Sequence, residues 1–278
     1  MSNSQVSQCR SQKRRSDVDL STQYLGLTLP HPLVVGASPL SDDLDGVKRL
    51  EDAGAAAIVL RSLFEEQITR EQLAEYMNLD FPGESFAEAT SYFPNPNSFS
   101  LGPAQYLEHL HRAKEAVRIP VIASLNGATP GGWIKYARQM AQAGADALEL
   151  NLYRVATGSD TTSADLEREA IDTVREVKPS VTIPVAVKLS PFYTALAHLA
   201  RELDRAGADG LILFNRFYQP DIDPDQLAAI RTLHLSDSSE LRLRLHWMAI
   251  LSGRIRASLA VTGGVHTAID VVKATMAG

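Results

Sequence analysis

Cysteine is almost missing from this chain: Cys9 is the single one in 278 residues. A lone thiol closes no disulfide and completes no cysteine-based zinc site within one chain. That scarcity agrees with a reducing, cytoplasmic setting. Long apolar runs are missing as well. No stretch approaches the roughly 18 residues that a membrane span needs, so no membrane partner is expected. Gly-x-Ser-x-Gly, His-Glu-x-x-His and Walker patterns are absent, which removes the simplest hydrolase, zinc-protease and nucleotide-loop readings. The seven histidines lack metal-ligand spacing. His109 and His111 stand two apart on one helix and do not face each other, so no metal is expected. Positive charge is not in excess either. The formal net charge of -6 argues against nucleic acid as a partner. What remains is 45% hydrophobic and 22% charged residues, an ordinary soluble composition.

Residues 1–17 are polar and aperiodic and are expected to form a disordered tail. Arg14 and Arg15 lack the apolar segment of a twin-arginine export signal. From residue 18 to 278 the chain reads as one domain with a repeated cadence. "LEDAGAAAIVLRS" (50–62), "MAQAGADALELNL" (140–152) and "LDRAGADGLILFN" (203–215) each run from a helix end through Ala-Gly into a short apolar strand. Strands are expected at 33–37, 56–61, 120–125, 146–151, 184–189, 209–214 and 257–262. Helices are expected at 65–77 and 104–117, among others. Short apolar strands alternating with amphipathic helices imply a parallel sheet covered on both faces. Both a TIM-type barrel and a doubly wound sheet bind ligands at the strand carboxyl ends. The regular repeat, and the absence of an early Gly-x-Gly-x-x-Gly, favour an α/β fold of the TIM (β/α)8 barrel type. The long connections 63–119, with "FPNPNSFSLGP", and 215–240 suit lids or binding loops.

Polar residues gather where those strands end: Ser38, Arg61 with Ser62, Asn126, Asn151, Lys188, Asn215 and Gly263-Gly264. Strand, Gly-Gly, then helix can cradle a phosphate; it can also be a tight turn. Lys188 ends an otherwise apolar strand, so it is paired or at a site, or else sits at a solvated strand end. Asn151 and Asn215 occupy similar places on two strands and could hydrogen-bond a flat polar ring or cap their own loops. Glu65 and Glu66 are acid/base candidates, or stabilise a helix N-terminus. Trp133, after "TPGG", is expected to pack a helix start.

The ordered set "ELNL", "PVAVKLSP", "LILFN" and "VTGGV" resembles the dihydroorotate dehydrogenases of the class 1 type. "SLFEEQI", "IPVIASLNGATPGGW" and "LFNRFYQPDID" are similar to the subgroup called dihydroorotate dehydrogenase-like proteins. The resemblance covers about residue 18 to the last. It implies an FMN-dependent barrel oxidising dihydroorotate, or a similar ring, to orotate in pyrimidine biosynthesis, with a small-molecule substrate and a homodimer as an assembly. It implies that Lys188 contacts the flavin ring and that Asn151 touches flavin and substrate. Asn215 would touch substrate, and Gly263 and Gly264 would hold the phosphate. Ala37 and Ser38 would lie against the flavin, and Asn126 belongs with these cofactor-facing groups. Arg61 stands where the family has lysine and could grip a carboxylate.

The base position departs from the family. Three residues after the strand-four asparagine stands Arg154, which cannot act as a base near neutral pH; neighbouring Tyr153 is the substitute candidate. Two alternatives therefore stand beside the enzyme reading: a flavin-binding protein of this family without dihydroorotate turnover, and a sugar-phosphate barrel enzyme without flavin. No cluster-binding cysteines are present, so an iron–sulfur partner would be a separate chain. By the internal repeat, "DVVKATMAG" (270–278) should lead into an eighth strand. The expectation is thus a truncated product lacking the eighth strand and helix.

Overall fold

A computed structural model of the chain describes residues 18–65, 102–127, 129–152, 154, 156–216, 221–230 and 235–278. The tail 1–17 with Cys9, nearly all of the helix expected at 65–77, the loop "FPNPNSFSLGP" up to Leu101, and Tyr153 lie outside these residues.

The described chain begins with a hairpin, β1 (Thr22–Tyr24) and β2 (Leu27–Leu29). β3 (Val34–Val35), α1 (Leu44–Asp52), β4 (Ala57–Val59), β5 (Leu63–Phe64) and α2 (Pro103–Ala116) follow. Then come β6 (Val121–Asn126), α3 (Pro130–Gln142), β7 (Ala147–Leu152), α4 (Ser163–Val177), β8 (Val185–Leu189), α5 (Leu196–Ala206) and β9 (Gly210–Leu213). A small hairpin, β10 (Asp221–Asp223) and β11 (Ala228–Ile230), precedes α6 (Leu241–Leu251), β12 (Ser258–Val261) and α7 (Ala268–Ala277). The expected strands and the 104–117 helix all appear within a few residues of their expected bounds. β5 and the two hairpins were not expected.

The main sheet runs β3-β4-β6-β7-β8-β9-β12, with β5 continuing along β6, and every pairing is parallel. Spatial order follows chain order throughout. A doubly wound sheet must reverse direction at a switch point; this ladder never does. The sheet is curled into part of a TIM-type barrel. Side chains from separate strands (Val59, Ile122, Ala147, Ala186 and Ile212) meet in one interior cluster. The opposite faces (Ile58, Ala123, Leu150, Val187 and Leu211) pack against the surrounding helices.

The repeated cadence has a specific geometry. Gly54, Gly144 and Gly207 each end a helix with positive φ. The next N–H reaches back five residues, Ala55 to Leu50 O, Ala145 to Met140 O and Ala208 to Leu203 O. This is a Schellman stop, which glycine enters without steric cost. In two copies an aspartate follows. Asp146 Oδ2 accepts from Val121 N at 2.7 Å and from Lys114 Nζ at 2.6 Å. Asp209 Oδ2 accepts from Val185 N at 2.7 Å and from Lys178 Nζ at 2.5 Å. Each clamps the start of its own strand to the start of the preceding one. The first copy has Ala56 there instead.

The β1–β2 hairpin turns through Leu25 and Gly26, both with positive φ, as a two-residue type I′ turn requires. It drives Leu25, 2% exposed, into the interior cluster. Leu25 N donates to Ser258 Oγ on β12 at 3.1 Å. The hairpin thus plugs the amino-terminal end and leaves the carboxyl end for the polar groups.

Candidate active site

Alternation along the strands decides what faces inward. On β7, Leu148, Leu150 and Leu152 are buried among helices, so Ala147, Glu149 and Asn151 point inside. On β8, Val185, Val187 and Leu189 face outward, leaving Ala186 and Lys188 inside. Lys188 Nζ donates to Glu149 Oε1 at 3.2 Å, both side chains being under a tenth exposed. The solvated strand-end alternative for Lys188 is thereby excluded. Both residues line a cavity of about 270 Å³ together with Tyr24, Val59, Ile212 and Ala260. Glu149 places its carboxyl group in this interior. The Tyr24 hydroxyl is pushed well up first by burial and then by Glu149. Tyr106 is pushed up by burial, with Glu149 adding a smaller push in the same direction.

One rung nearer the mouth, Asn151 is registered with Lys188. Its Nδ2 donates to Ser62 Oγ at 2.6 Å and to Ser124 Oγ at 3.2 Å, and the two hydroxyls lie 2.8 Å apart. Both amide hydrogens are therefore used. Oδ1 is buried and has no partner among the described residues. The Ser38 hydroxyl oxygen is in the same condition. Buried polar atoms are normally satisfied, and here an unpartnered acceptor belongs to the strand rung that also carries the buried Lys188.

The remaining expected residues divide. Ala37 packs on the interior cluster, and Asn126 is half-buried at the end of β6, registered with Phe64. Asn215 is not level with Asn151. The ladder runs Asn151, Lys188, Ile212, which puts Asn215 three residues beyond, where its Oδ1 accepts from Arg216 N at 2.9 Å. Arg61 turns to Asp42, Nη1 to Oδ2 at 2.9 Å. Burial raises the Asp42 carboxyl above its ordinary value, and Arg61 opposes that rise. Arg154 is exposed and ion-paired with Glu169 of α4. Glu65 serves a helix N-terminus, but that of α3: its carboxylate accepts from Thr129 N at 3.0 Å and Thr129 Oγ1 at 2.6 Å. Trp133 packs the same helix start, its indole so close to Gly127 that a Cβ there would meet it at 2.5 Å.

At the Gly-Gly turn both φ angles are +80°. A Cβ on Gly264 would meet Leu241 N at 2.5 Å, and one on Gly263 would meet Arg244 Nη2 at 2.8 Å. Glycine is needed here for conformation and for close approach alike. Arg244 is 7% exposed and donates to Thr262 O and Glu240 O, each at 2.7 Å. Burial lowers its pKa, and Glu240 counters that. Gly264 N donates to Ser236 Oγ at 3.1 Å. The start of α7 is served by the chain's own anion. Asp270 Oδ2 accepts from His266 N, Thr267 N and Ser238 Oγ. These bonds hold the Asp270 carboxyl down at about 2. The positive potential expected from that helix start is thus largely directed at Asp270.

Glu149, Arg244 and Ser124 were missed by sequence reasoning. Inward alternation on β7 could have found Glu149, because "ALELNL" places it two residues before Asn151. Nothing in the sequence marks Arg244, which lies on a helix with no charged-face pattern.

No protein-family model matches the chain. It is similar to curated proteins named dihydroorotate dehydrogenase B (NAD(+)), catalytic subunit. The one from Methanocella arvoryzae is 31% identical over 205 residues, 71% of this chain and 62% of the relative. That from Thermoplasma volcanium is 29% identical over 212 residues, 74% of this chain and 64% of the relative. That from Thermoplasma acidophilum is 26% identical over 273 residues, 94% of this chain and 84% of the relative. The chain spans less than two thirds of the length of the first two. A parallel sheet in barrel order, with the "ELNL", "VAVKL" and "VTGG" strand ends all at one mouth, accompanies this similarity to proteins of the dihydroorotate dehydrogenase family.

Proposed function

We propose that the chain is an FMN-dependent oxidoreductase acting on the CH–CH bond of dihydroorotate, or a closely similar ring, to give orotate for pyrimidine biosynthesis. The observation that carries this reading is the unpartnered, buried Oδ1 of Asn151 on the rung of the buried Lys188. A flavin edge offers an N–H for the first and oxygen or nitrogen acceptors for the second. The phosphate end fits less openly. Gly263 and Gly264 provide the backbone shape, but the Gly264 N–H already has Ser236 Oγ. A phosphate there would displace that hydroxyl and lie beside Arg244.

FMN, when bound, supplies the acceptor for the hydride that leaves substrate C6. The residues of the chain do the rest. Lys188 presents a fixed positive charge, and Asn151 orients the ring. Asn215 and Arg61 are the candidates for holding the substrate, Arg61 by releasing Asp42. The C5 proton must also leave as the C5–C6 double bond forms. Arg154 cannot take it, because a guanidinium stays charged and is paired with Glu169. Tyr153 remains the candidate acceptor at that loop. General base catalysis is typically worth 10²–10⁴-fold, so turnover of dihydroorotate is expected to be slow. The relatives are named as catalytic subunits, which supports a second chain as the outlet for electrons here. No helix among the described residues is long and apolar enough to cross a membrane.

The test is anaerobic titration of the purified, FMN-loaded chain. Loss of the yellow oxidised-flavin absorbance on adding dihydroorotate supports the assignment. Bleaching by dithionite but never by dihydroorotate sinks the substrate assignment and leaves a flavin-binding protein. A chain that takes up no FMN overturns the cofactor.

A further inference from the structure

We infer that Glu149 is a positioning residue of this site, acting through Lys188 to set where the ammonium sits and how much of its charge a bound ring feels. The inference rests on the flavin reading above. Its first support is geometric. The direct register partner of Glu149 is Ala186, and that of Lys188 is Asn151. The Glu149–Lys188 contact is therefore diagonal, a reach that long side chains make across a ladder. The carboxylate draws the ammonium one step deeper than the rung its own backbone occupies. A lysine unrestrained at that rung would extend toward the mouth and water.

The second support is energetic. Glu149 is 4% and Lys188 7% exposed. Replacing a buried ion pair by apolar residues of similar size is often neutral or stabilising. The same interior is filled elsewhere by Val59, Ile122, Ala147, Ala186 and Ile212. Stability alone therefore gives no reason for a charged pair here. The third support is stoichiometric. An ammonium has three donors, and the one described bond is to Glu149 Oε1. A tether through one donor leaves two for a ligand, next to a strand rung whose Asn151 also keeps an unpartnered acceptor.

The sign of the effect follows. Positive charge beside a ring favours its electron-richer, reduced form, and a carboxylate behind that charge moderates it. Glu149→Gln keeps the shape and removes the charge. The midpoint potential of bound FMN is measured in the full chain and in variants. Glu149→Gln is expected to favour reduced over oxidised flavin about tenfold, an upward shift of about 30 mV for a two-electron couple. In a Lys188→Met background the same substitution should change that ratio by less than about threefold, because its effect runs through the ammonium. Glu149→Gln leaves the ammonium buried without its carboxylate. Should it fail to fold, Glu149→Asp carries the test, retracting the carboxylate by one methylene with a smaller upward shift expected. A packing role would leave the potential unmoved in every foldable Glu149 variant, and that result overturns the inference. Equal shifts with and without Lys188 overturn it too, since Glu149 would then act directly. A wild-type chain that binds no FMN overturns both this inference and the flavin reading; a flavin-loaded chain with an unshifted Glu149 variant overturns this one alone.

Discussion

Lys188 and Glu149 illustrate how burial turns charge into constraint. Each charge would be costly alone in this interior, and the pairing offsets part of that cost. Removing one partner leaves the other stranded. Lys188→Met should therefore destabilise the fold by about 3–5 kcal/mol, read as a lowered urea midpoint. Adding Glu149→Gln should restore most of that loss. A single variant as stable as the parent would show that the pair is solvated in solution. Lys188, Asn151 and Gly263-Gly264 were legible in the sequence because each interrupts an apolar strand or ends one. Glu149 was not singled out, since one acidic residue in "ALELNL" looks ordinary until the strand shows which way it points.

At the scale of the element, the starts of strands and helices are held by carboxylates. Asp146 joins Val121 N and Lys114 at one oxygen. Asp146→Ala should leave that backbone donor unsatisfied and cost about 1–3 kcal/mol, checked by equilibrium unfolding. Ala56, the matching residue of the first repeat, shows that the cadence can stand without the clamp, so a null result would assign Asp146 to solubility alone. Asp270 gives a pH prediction. Its folded value of about 2 lies below the ordinary 3.8. Its stabilisation is therefore present above about pH 4 and is lost as pH falls toward 2. Asp270→Asn should flatten that part of the acid-unfolding curve. The three Ala-Gly stops were visible as a repeat, and their positive φ follows from glycine. The β1–β2 hairpin was missed because Leu-Gly is a weaker turn signal than Asn-Gly.

For the whole molecule, the parallel ladder in unbroken chain order sets one polar mouth above one apolar interior. Ligand binding at that mouth should stabilise the native state by mass action, about 2.7 kcal/mol at a hundredfold excess over Kd. We expect FMN to raise the melting temperature, and riboflavin, which lacks the phosphate, to raise it less. Equal shifts for the two would place no phosphate on Gly263 and Gly264. This comparison also separates the proposed ring end, where Asn151 Oδ1 has no partner among the described residues, from the proposed phosphate end, where Gly264 N donates to Ser236 Oγ.

The amino-acid sequence by itself determined the alternation of apolar strands and amphipathic helices, the glycine stops between them, and the strand ends at which polar residues collect. These are local properties: period, turn chemistry and composition act over a few residues. Which neighbour each strand takes, and so barrel order instead of a doubly wound sheet, was settled only when the strands paired. So were the diagonal contact of Glu149 with Lys188 and the turning of Arg61 to Asp42 and of Arg154 to Glu169. Each of these joins residues between 15 and 39 positions apart, and side-chain charge finds its partner by distance in space, which sequence spacing does not encode.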